Sequence, residues 1–345
     1  MKKLIAYSLN QPLFIVLGTV LFALAGIIAF KNLSVEAFPD VTDTQVTVIA
    51  LFPGHAAEEV EKQVTLPLES ALSGMPNAIR AFSHTQFGLS FTVITYDDRA
   101  DVNLVRAQVA ERLRGVDLPP GVEANIAPNS TPVGEVMRYR LRGDGKSTTE
   151  LRTIEDWVVE RALRQVSGVA DVVAMGGFIK QYEVQPDLDK LRAYKLTFQN
   201  LLDALGRGNA NAGGSYVAQG PQQYAIRGIG LLRSAEDIGS VVVAARAGTP
   251  ILIRDVAQVS VGSVPRLGTV GQDEDDDIVT GIVVMRKGEN PSVVLAGVKD
   301  KIAELNARGL PAGVQIVPYY DRTWLMGKTL STVFRNLVEG ALLVS

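Results

Sequence analysis

The sequence predicts an α+β protein: an N-terminal transmembrane helix, then two ferredoxin-like (βαββαβ) units, the second interrupted by an inserted α+β domain. Three observations predict it. An apolar run from Leu13 to Phe30 carries no charge over eighteen residues and is closed by Lys31. The order strand, helix, strand, strand, helix, strand can then be read from Gln45 to Pro128. Half of that order recurs at once, and its other half returns only after a gap of about a hundred residues.

Composition sets the outer limits. A chain of 345 residues has room for two or three separately packed cores. The formal net charge is -3 and no block of Lys or Arg stands out, which argues against a nucleic-acid surface. The absence of cysteine removes disulfides, thiolate metal sites and cysteine nucleophiles together.

The first element follows from solvent physics. Leu13 to Phe30 is long enough to cross a hydrocarbon layer of about 30 Å with modest tilt. Ala23-Leu24-Ala25 before Gly26 makes a passable signal-peptide cleavage site, but the apolar run continues past it and exceeds the usual signal core, which favours a retained span. Lys2 and Lys3 place the N-terminus in the cytoplasm and the chain after Lys31 on the other side.

The first βαββαβ unit is read element by element. Gln45 to Phe52, QVTVIALF, alternates as a half-buried strand. PGHAAEEVEKQVTLPLESALSG is a turn and a helix with Val60, Val64 and Leu68 on one face. Two β-rich runs around Gly88 form a hairpin. DVNLVRAQVAERLRGV is a second helix, N-capped by Asp101, with Leu104, Val105, Gln108, Val109 and Leu113 on its inner face. LPPGVEANIAP supplies a stop and the last strand.

The second unit begins with the strand Glu135 to Gly143, the helix STTELRTIEDWVVERALRQVSG and the strand VADVVAMGG, which ends in paired glycines. Leu163 and Val166 precede that strand as Leu72 and Met75 precede theirs. It resumes with DIVTGIVVMRKG, the helix NPSVVLAGVKDKIAELNARG and LPAGVQIVP, an echo of LPPGVEANIAP. Between the halves lie a strand, a turn and a helix whose Leu201, Leu202 and Leu205 can face a core. A Gly- and Asn-rich stretch follows, GRGNANAGGSYVAQGPQQYAIRG, too poor in apolar residues to pack by itself. It reads either as an arm that orders against a neighbour or as an exposed hairpin within one subunit.

Several phrases now carry a resemblance: SVEAFPDVTDTQVTV, PGHAAEEVEKQVTLPLESALSGMP, GLSFTVITYDD, GVADVVAMGG, KQYEV, NANAGGSYV, YAIRG and YYDRTWL, in this order and spacing. The chain resembles the N-terminal third of a resistance-nodulation-division (RND) efflux transporter of the heavy-metal branch. The resemblance implies a periplasmic porter of two ferredoxin-like modules, the second interrupted by a docking domain that reaches the next protomer of a homotrimer. It implies these divisions: 1–31, cytoplasmic N-terminus and first transmembrane helix; 32–133, first porter module; 134–177 with 265–328, second porter module. The docking domain is 178–264, and 329–345 is the start of a second transmembrane helix, so the chain given is expected to be a fragment.

By the same resemblance the function is proton-driven export of heavy-metal cations, divalent or monovalent. The pump works in a Gram-negative inner membrane with a periplasmic adaptor protein and an outer-membrane channel. The full protein is multi-pass, and most of this chain lies in the periplasm. Two alternatives stay open. The drug or amphiphile branch would line its cleft with aromatics, which make up only 6% of this chain. A membrane-anchored periplasmic binding or assembly module would lack a continuation of the apolar run after Ser345. Glu339 reads as interfacial rather than as a proton carrier, and no ionisable residue lies between Leu13 and Phe30, so the proton relay is expected elsewhere.

Enzyme chemistry finds no footing. GDGKST, Gly143 to Thr148, ends like a phosphate-binding loop, but Arg140 stands where its first glycine belongs. His55, in a turn beside Gly54, and His84, in the hairpin, are far apart in pattern and read as solvated or satisfied rather than liganding, and no HExxH, nucleophile elbow or Ser/His/Asp arrangement is present. No cofactor is expected. The DEDDD run, Asp273 to Asp277, has oxygen ligands for a hard cation but no calcium-loop spacing, and reads as a solvated turn.

Glu135 lies where the two porter modules join if the resemblance holds, and Asp171 starts the repeated strand. Carboxylates suit hard and borderline divalent ions, so Glu135 and Asp171 are the metal candidates, with ordinary surface carboxylates as the alternative reading. Met137 is expected on the strand face of Glu135, which would allow a mixed site. Met75, Met175, Met285 and Met326 show no clustering in sequence.

Overall fold

The computed structural model describes residues 11–31, 40–220, 222–246, 248–266 and 268–344. Lys2, Lys3, Ser345 and most of the SVEAFPD phrase lie outside the described residues.

The apolar run forms one helix, Pro12–Lys31, unbroken through Ala23-Leu24-Ala25. By length and composition Pro12–Ala29 can cross a membrane, and none of that stretch is buried by the rest of the chain.

The first unit is a four-stranded antiparallel sheet in the order β2-β3-β1-β4. Its strands are β1 (Thr44–Leu51), β2 (Ala78–Gln86), β3 (Leu89–Tyr96) and β4 (Ala124–Ile126). A helical stretch from Ala57 to Leu72 joins β1 to β2, with a wider π-type turn over Glu61–Thr65, and buries Val60, Val64 and Leu68 completely. The Val102–Leu113 helix starts as the sequence predicts, the Asp101 carboxylate accepting from the backbone N–H of Asn103 and Leu104. Its inner stripe is narrower than expected. Val105 and Val109 are buried and Leu113 packs beside them, but Leu104 points to solvent at 58% exposure. One residue is about 100° of turn, enough to carry Leu104 off the face that Val105 occupies.

The second unit repeats this order with a break. Its sheet runs β14-β5-β13-β6, built from β5 (Ser130–Gly143), β6 (Val169–Gly176), β13 (Val279–Arg286) and β14 (Val314–Asp321). One face is covered by the helical stretch from Thr148 to Leu163 and by helix Pro291–Glu304; Leu151, Val159, Leu163, Val294, Leu295 and Val298 fill that layer. Ser147 and Glu150 close a capping box at the first of these helices, so the GDGKST turn is a helix start.

The chain leaves β6 at Gly176 and Gly177, both with positive φ; a Cβ on Gly176 would lie 2.0 Å from the Ile278 carbonyl oxygen. Glycine alone fits that crossing. Between β6 and β13 a third core forms around Leu191, Leu201, Ala204, Ile238, Val243, Ile251, Ile253 and Val256. It is flanked by the ribbon β7 (Lys180–Pro186) with β12 (Ala257–Ser263) and by β10 (Val242–Arg246) with β11 (Thr249–Leu252). Leu201 is buried and Leu205 packs against the cluster, whereas Leu202 is 45% exposed, turned away by one residue of helical rotation.

The Gly- and Asn-rich stretch is a hairpin, β8 (Ala212–Gln219) with β9 (Gln222–Gly228), on which Tyr216, Val217 and Tyr224 are exposed. Its base is tied by two asparagines. Asn209 Oδ1 accepts from the N–H of Leu232 and Asn211 Oδ1 from the N–H of Gly230. A final helix, Arg322–Val344, begins at the end of β14, and its apolar residues Val333, Phe334, Leu337, Leu342 and Leu343 are exposed.

Candidate functional site

The helices cover one face of the second sheet; the other face is open. On it the register places Glu135 of β5 and Asp171 of β6 in one row, both opposite Val284 of β13. Adjacent strands lie about 4.8 Å apart, so one intervening strand separates the two carboxylates by about 10 Å at the backbone.

Each carboxylate already has a cation. Glu135 pairs with Arg138 in a two-point contact: Nη2 to Oε2 is 3.0 Å, and Nε donates to Oε1. Asp171 pairs with Arg164, which also reaches Glu160 at 3.0 Å. Among the described residues no group of three or more His, Asp or Glu side chains gathers closely enough to hold a metal ion. An incoming ion at either carboxylate has to compete with a guanidinium.

Met137 is not on this face. The β5/β13 register slips between Val283 and Val284, so Val283 faces Met137 while Val284 faces Glu135, and Val136 is the extra residue. A bulge reverses the simple alternation. Met137 is fully buried among the helix-side residues, so a Glu135/Met137 mixed site is ruled out by geometry. Met75, Met285 and Met326 are core as well; among the described residues Met175, 44% exposed on β6 opposite Thr280, is the methionine that reaches the surface.

Glu135 lines a cleft of about 650 Å³ with Pro132, Val133, Arg138, Tyr319, Tyr320 and Arg322. The aromatic side chains come from the end of β14, and Tyr319 is held by a 3.0 Å contact between its hydroxyl and that of Thr280. A second cleft, about 700 Å³, lies between the Thr148–Ile154 helix and the β7/β12 ribbon, with Phe178, Ile154 and Val261 among its walls.

The remaining candidates are structural. His55 stacks on Phe52 with ring centroids 3.5 Å apart, and His84 contacts Gln86; neither faces a carboxylate cluster. The DEDDD run is mostly solvated, as expected, but two of its members are anchored. Asp275 pairs at 3.0 Å with Arg140, which is only 7% exposed, and Asp277 pairs at 2.7 Å with Arg266, whose guanidinium lies over Phe178.

One buried acid gave no signal in the sequence. Glu155, in the π-type turn Glu155–Val159, is 0% exposed and accepts a 2.6 Å hydrogen bond from the Tyr139 hydroxyl through Oε1, while Oε2 has no partner. Burial pushes its pKa up to about 7; the Tyr139 bond and Arg152 oppose the rise, and Asp156 and Glu160 add to it. Only the tertiary pairing of Tyr139 with Gly281 opens space for it, because a Cβ at Gly281 would lie 2.2 Å from the Tyr139 ring.

Comparison with known proteins gives this geometry a context. The profile described as the AcrB/AcrD/AcrF family matches residues 4–345. Protein HelA of Legionella pneumophila is 37% identical over 353 residues, covering 100% of this chain and 33% of that protein. The cobalt-zinc-cadmium resistance protein CzcA of Cupriavidus metallidurans is 36% identical over 354 residues, covering 99% of this chain and 33% of its own length. The X-ray crystal structure of a heavy metal efflux pump, crystal form II, superposes with a TM-score of 0.91 at 37% identity, over 99% of this chain and 34% of that one. The chain thus spans about a third of the length of the curated relatives it matches.

Proposed function

The chain belongs to the AcrB/AcrD/AcrF family, within it to the heavy-metal efflux branch of the RND transporters rather than to any class of enzyme, and from that premise we propose its role. It is the N-terminal portion of a proton-driven inner-membrane pump that exports heavy-metal cations. The pump is a homotrimer working with a periplasmic adaptor and an outer-membrane channel. The observation that carries this reading is the fit of nearly the whole chain, including its interrupted second sheet, to a solved heavy metal efflux pump.

On this reading residues 32–133 are the first porter module and 134–177 with 265–328 the second. Residues 178–264 are the docking domain, whose exposed hairpin Ala212–Gly228 meets the next protomer. Residues 1–31 carry the first span from the cytoplasm, and 329–345 begin the second, placing most of the chain in the periplasm. The separate third core supports an insertion that packs on its own terms. Transport proceeds by opening and closing of clefts between modules while protons cross the membrane part, with the proton relay outside this chain.

Glu135 and Asp171 act in this scheme as transient contacts for the cation. Both lie on the uncovered sheet face, and a carboxylate shared with an arginine holds an ion weakly enough to release it. The test is metal tolerance and vesicle uptake of radiolabelled zinc, cobalt and copper(I) by the full-length protein in a metal-sensitive host. Proton-dependent uptake of at least one ion, reduced several-fold in the E135Q/D171N double variant, is expected. Uptake of drugs or detergents with no metal transport would refute the metal reading.

A further inference from the structure

The cleft beside Glu135 contains a guanidinium, that of Arg322, that forms no ion pair with an acid among the described residues. Arg322 is 2% exposed; its Nη1 donates to the carbonyl oxygen of Val133, and its Nη2 is buried without a hydrogen-bond partner. The acids that could serve it are engaged elsewhere. Glu135, in the same cleft, is held at two points by Arg138, and Asp321, adjacent in the chain, pairs with Lys299. A guanidinium cannot shed its proton to escape burial, so one left without a counter-charge is poised to take an anionic partner.

We propose that this cleft is a binding site for a small oxyanion, a carboxylate or phosphate group received by Arg322 with help from Tyr320 and Arg138. The lining carries two arginines against one carboxylate, so the net field favours an anion. The planar fork of a guanidinium matches two oxygens of such a group. Tyr320, a residue 38% exposed, brings a hydroxyl to the wall as a further donor. Arg322 is also the first residue of the 23-residue helix Arg322–Val344, whose N-terminal dipole adds to the attraction. Glu135 is the built-in competitor: its charge lowers anion affinity and occupies Arg138.

The experiment uses the purified full-length protein in detergent, inorganic phosphate as probe, and phosphorus NMR line broadening as readout, at constant ionic strength. Saturable broadening that citrate displaces is expected in the wild type and lost in R322Q. E135Q should bind phosphate more tightly, by roughly tenfold, because the competing charge is gone. Y320F, which removes one donor without uncovering a buried charge, should weaken binding several-fold and serves if R322Q does not fold. Running the titration before and after delipidation separates the sources of the group. Binding already present before delipidation points to a free anion; binding seen only afterwards points to a lipid phosphate that had filled the cleft. Unchanged broadening in R322Q, or in Y320F where R322Q is unfolded, would overturn the proposal, as would weaker binding in E135Q. No metal or proton gradient enters this measurement, so its failure leaves the transport reading standing and is separately diagnosed.

Discussion

Glu155→Gln isolates the one acid that is buried, among the described residues, in the core of the second unit. Glu155 has its pKa raised from the usual 4.5 to about 7, chiefly by burial. A raised value means the folded state holds the proton more tightly than the unfolded one. Stability is then fully present below pH 4.5, falls as the pH rises, and reaches its lower plateau above pH 7. A shift of that size corresponds to about 3 kcal/mol between the two plateaus, or roughly a hundredfold in the local opening constant. Glutamine keeps an acceptor for the Tyr139 hydroxyl and carries no charge at any pH. The wild type and E155Q should therefore be nearly equal at pH 4.5 and differ by about 3 kcal/mol at pH 8, with E155Q the more stable.

The assay is hydrogen–deuterium exchange of the full-length protein at several pH values, corrected for intrinsic exchange, on peptides covering 148–163 and 279–286. Those segments should lose protection between pH 5 and 8 in the wild type and keep it in E155Q, while the Val102–Leu113 helix serves as an unaffected control. Equal pH slopes in the two proteins would refute the assignment of the proton to Glu155. The environment also predicts a steric result. G281A places a methyl 2.2 Å from the Tyr139 ring and 2.7 Å from Glu155 Oε1, and should cost about 1–3 kcal/mol at every pH.

Three further expectations can be read in the same exchange or thermal-shift format. L201A should cost about 2–5 kcal/mol in the third core, while L202A, one residue along the same helix, should change stability by less than about 0.5 kcal/mol; equal effects would mean the helix is rotated from its described position. S147A should lose about 1 kcal/mol through the capping box it forms with Glu150, and a change near zero would show that the helix start is held by packing alone. D275A should destabilise more than R140M, because it leaves the Arg140 guanidinium buried without its ion pair; the reverse order would show that the Arg140 stem matters chiefly as packing.

What could be read from the sequence was what depends on neighbours along the chain. The 4-residue spacing of Val60, Val64 and Leu68, the Gly88 hairpin and the Asp101 cap are local, and all three stand in the structure. Leu104 and Leu202 were misplaced because an apolar residue at the margin of a helical stripe has no sequence mark separating inside from outside. The Met137 face was misread because a one-residue bulge leaves no composition signal, yet it reverses every side chain beyond it. Glu155 and Arg322 were invisible for a deeper reason. The space for Glu155 beside Tyr139 is left by Gly281 of β13, and Arg322 is tied to Val133 of β5, each more than a hundred positions away, so no short window on the sequence contains the full surroundings of either.

If Glu135 and Asp171 contact the cation as proposed, their arginine partners set how tightly it is held. At Glu135 and Asp171 the native contact is an ion pair that is partly exposed, worth little in stability and screened by salt. A divalent cation that displaces a guanidinium gains a stronger Coulomb interaction but pays to strip its water and frees a positive charge beside itself. On the proposed role, net affinity is therefore expected to be low, so that the ion is released when the cleft changes shape. This argues for an asymmetric outcome when the partners are removed. R138Q or R164Q should raise affinity for zinc, measured by equilibrium dialysis, and slow its release in vesicle transport, while E135Q should weaken binding. If R138Q and E135Q shift zinc affinity in the same direction, the acid is not the ion's contact, and the pair serves only to hold β5.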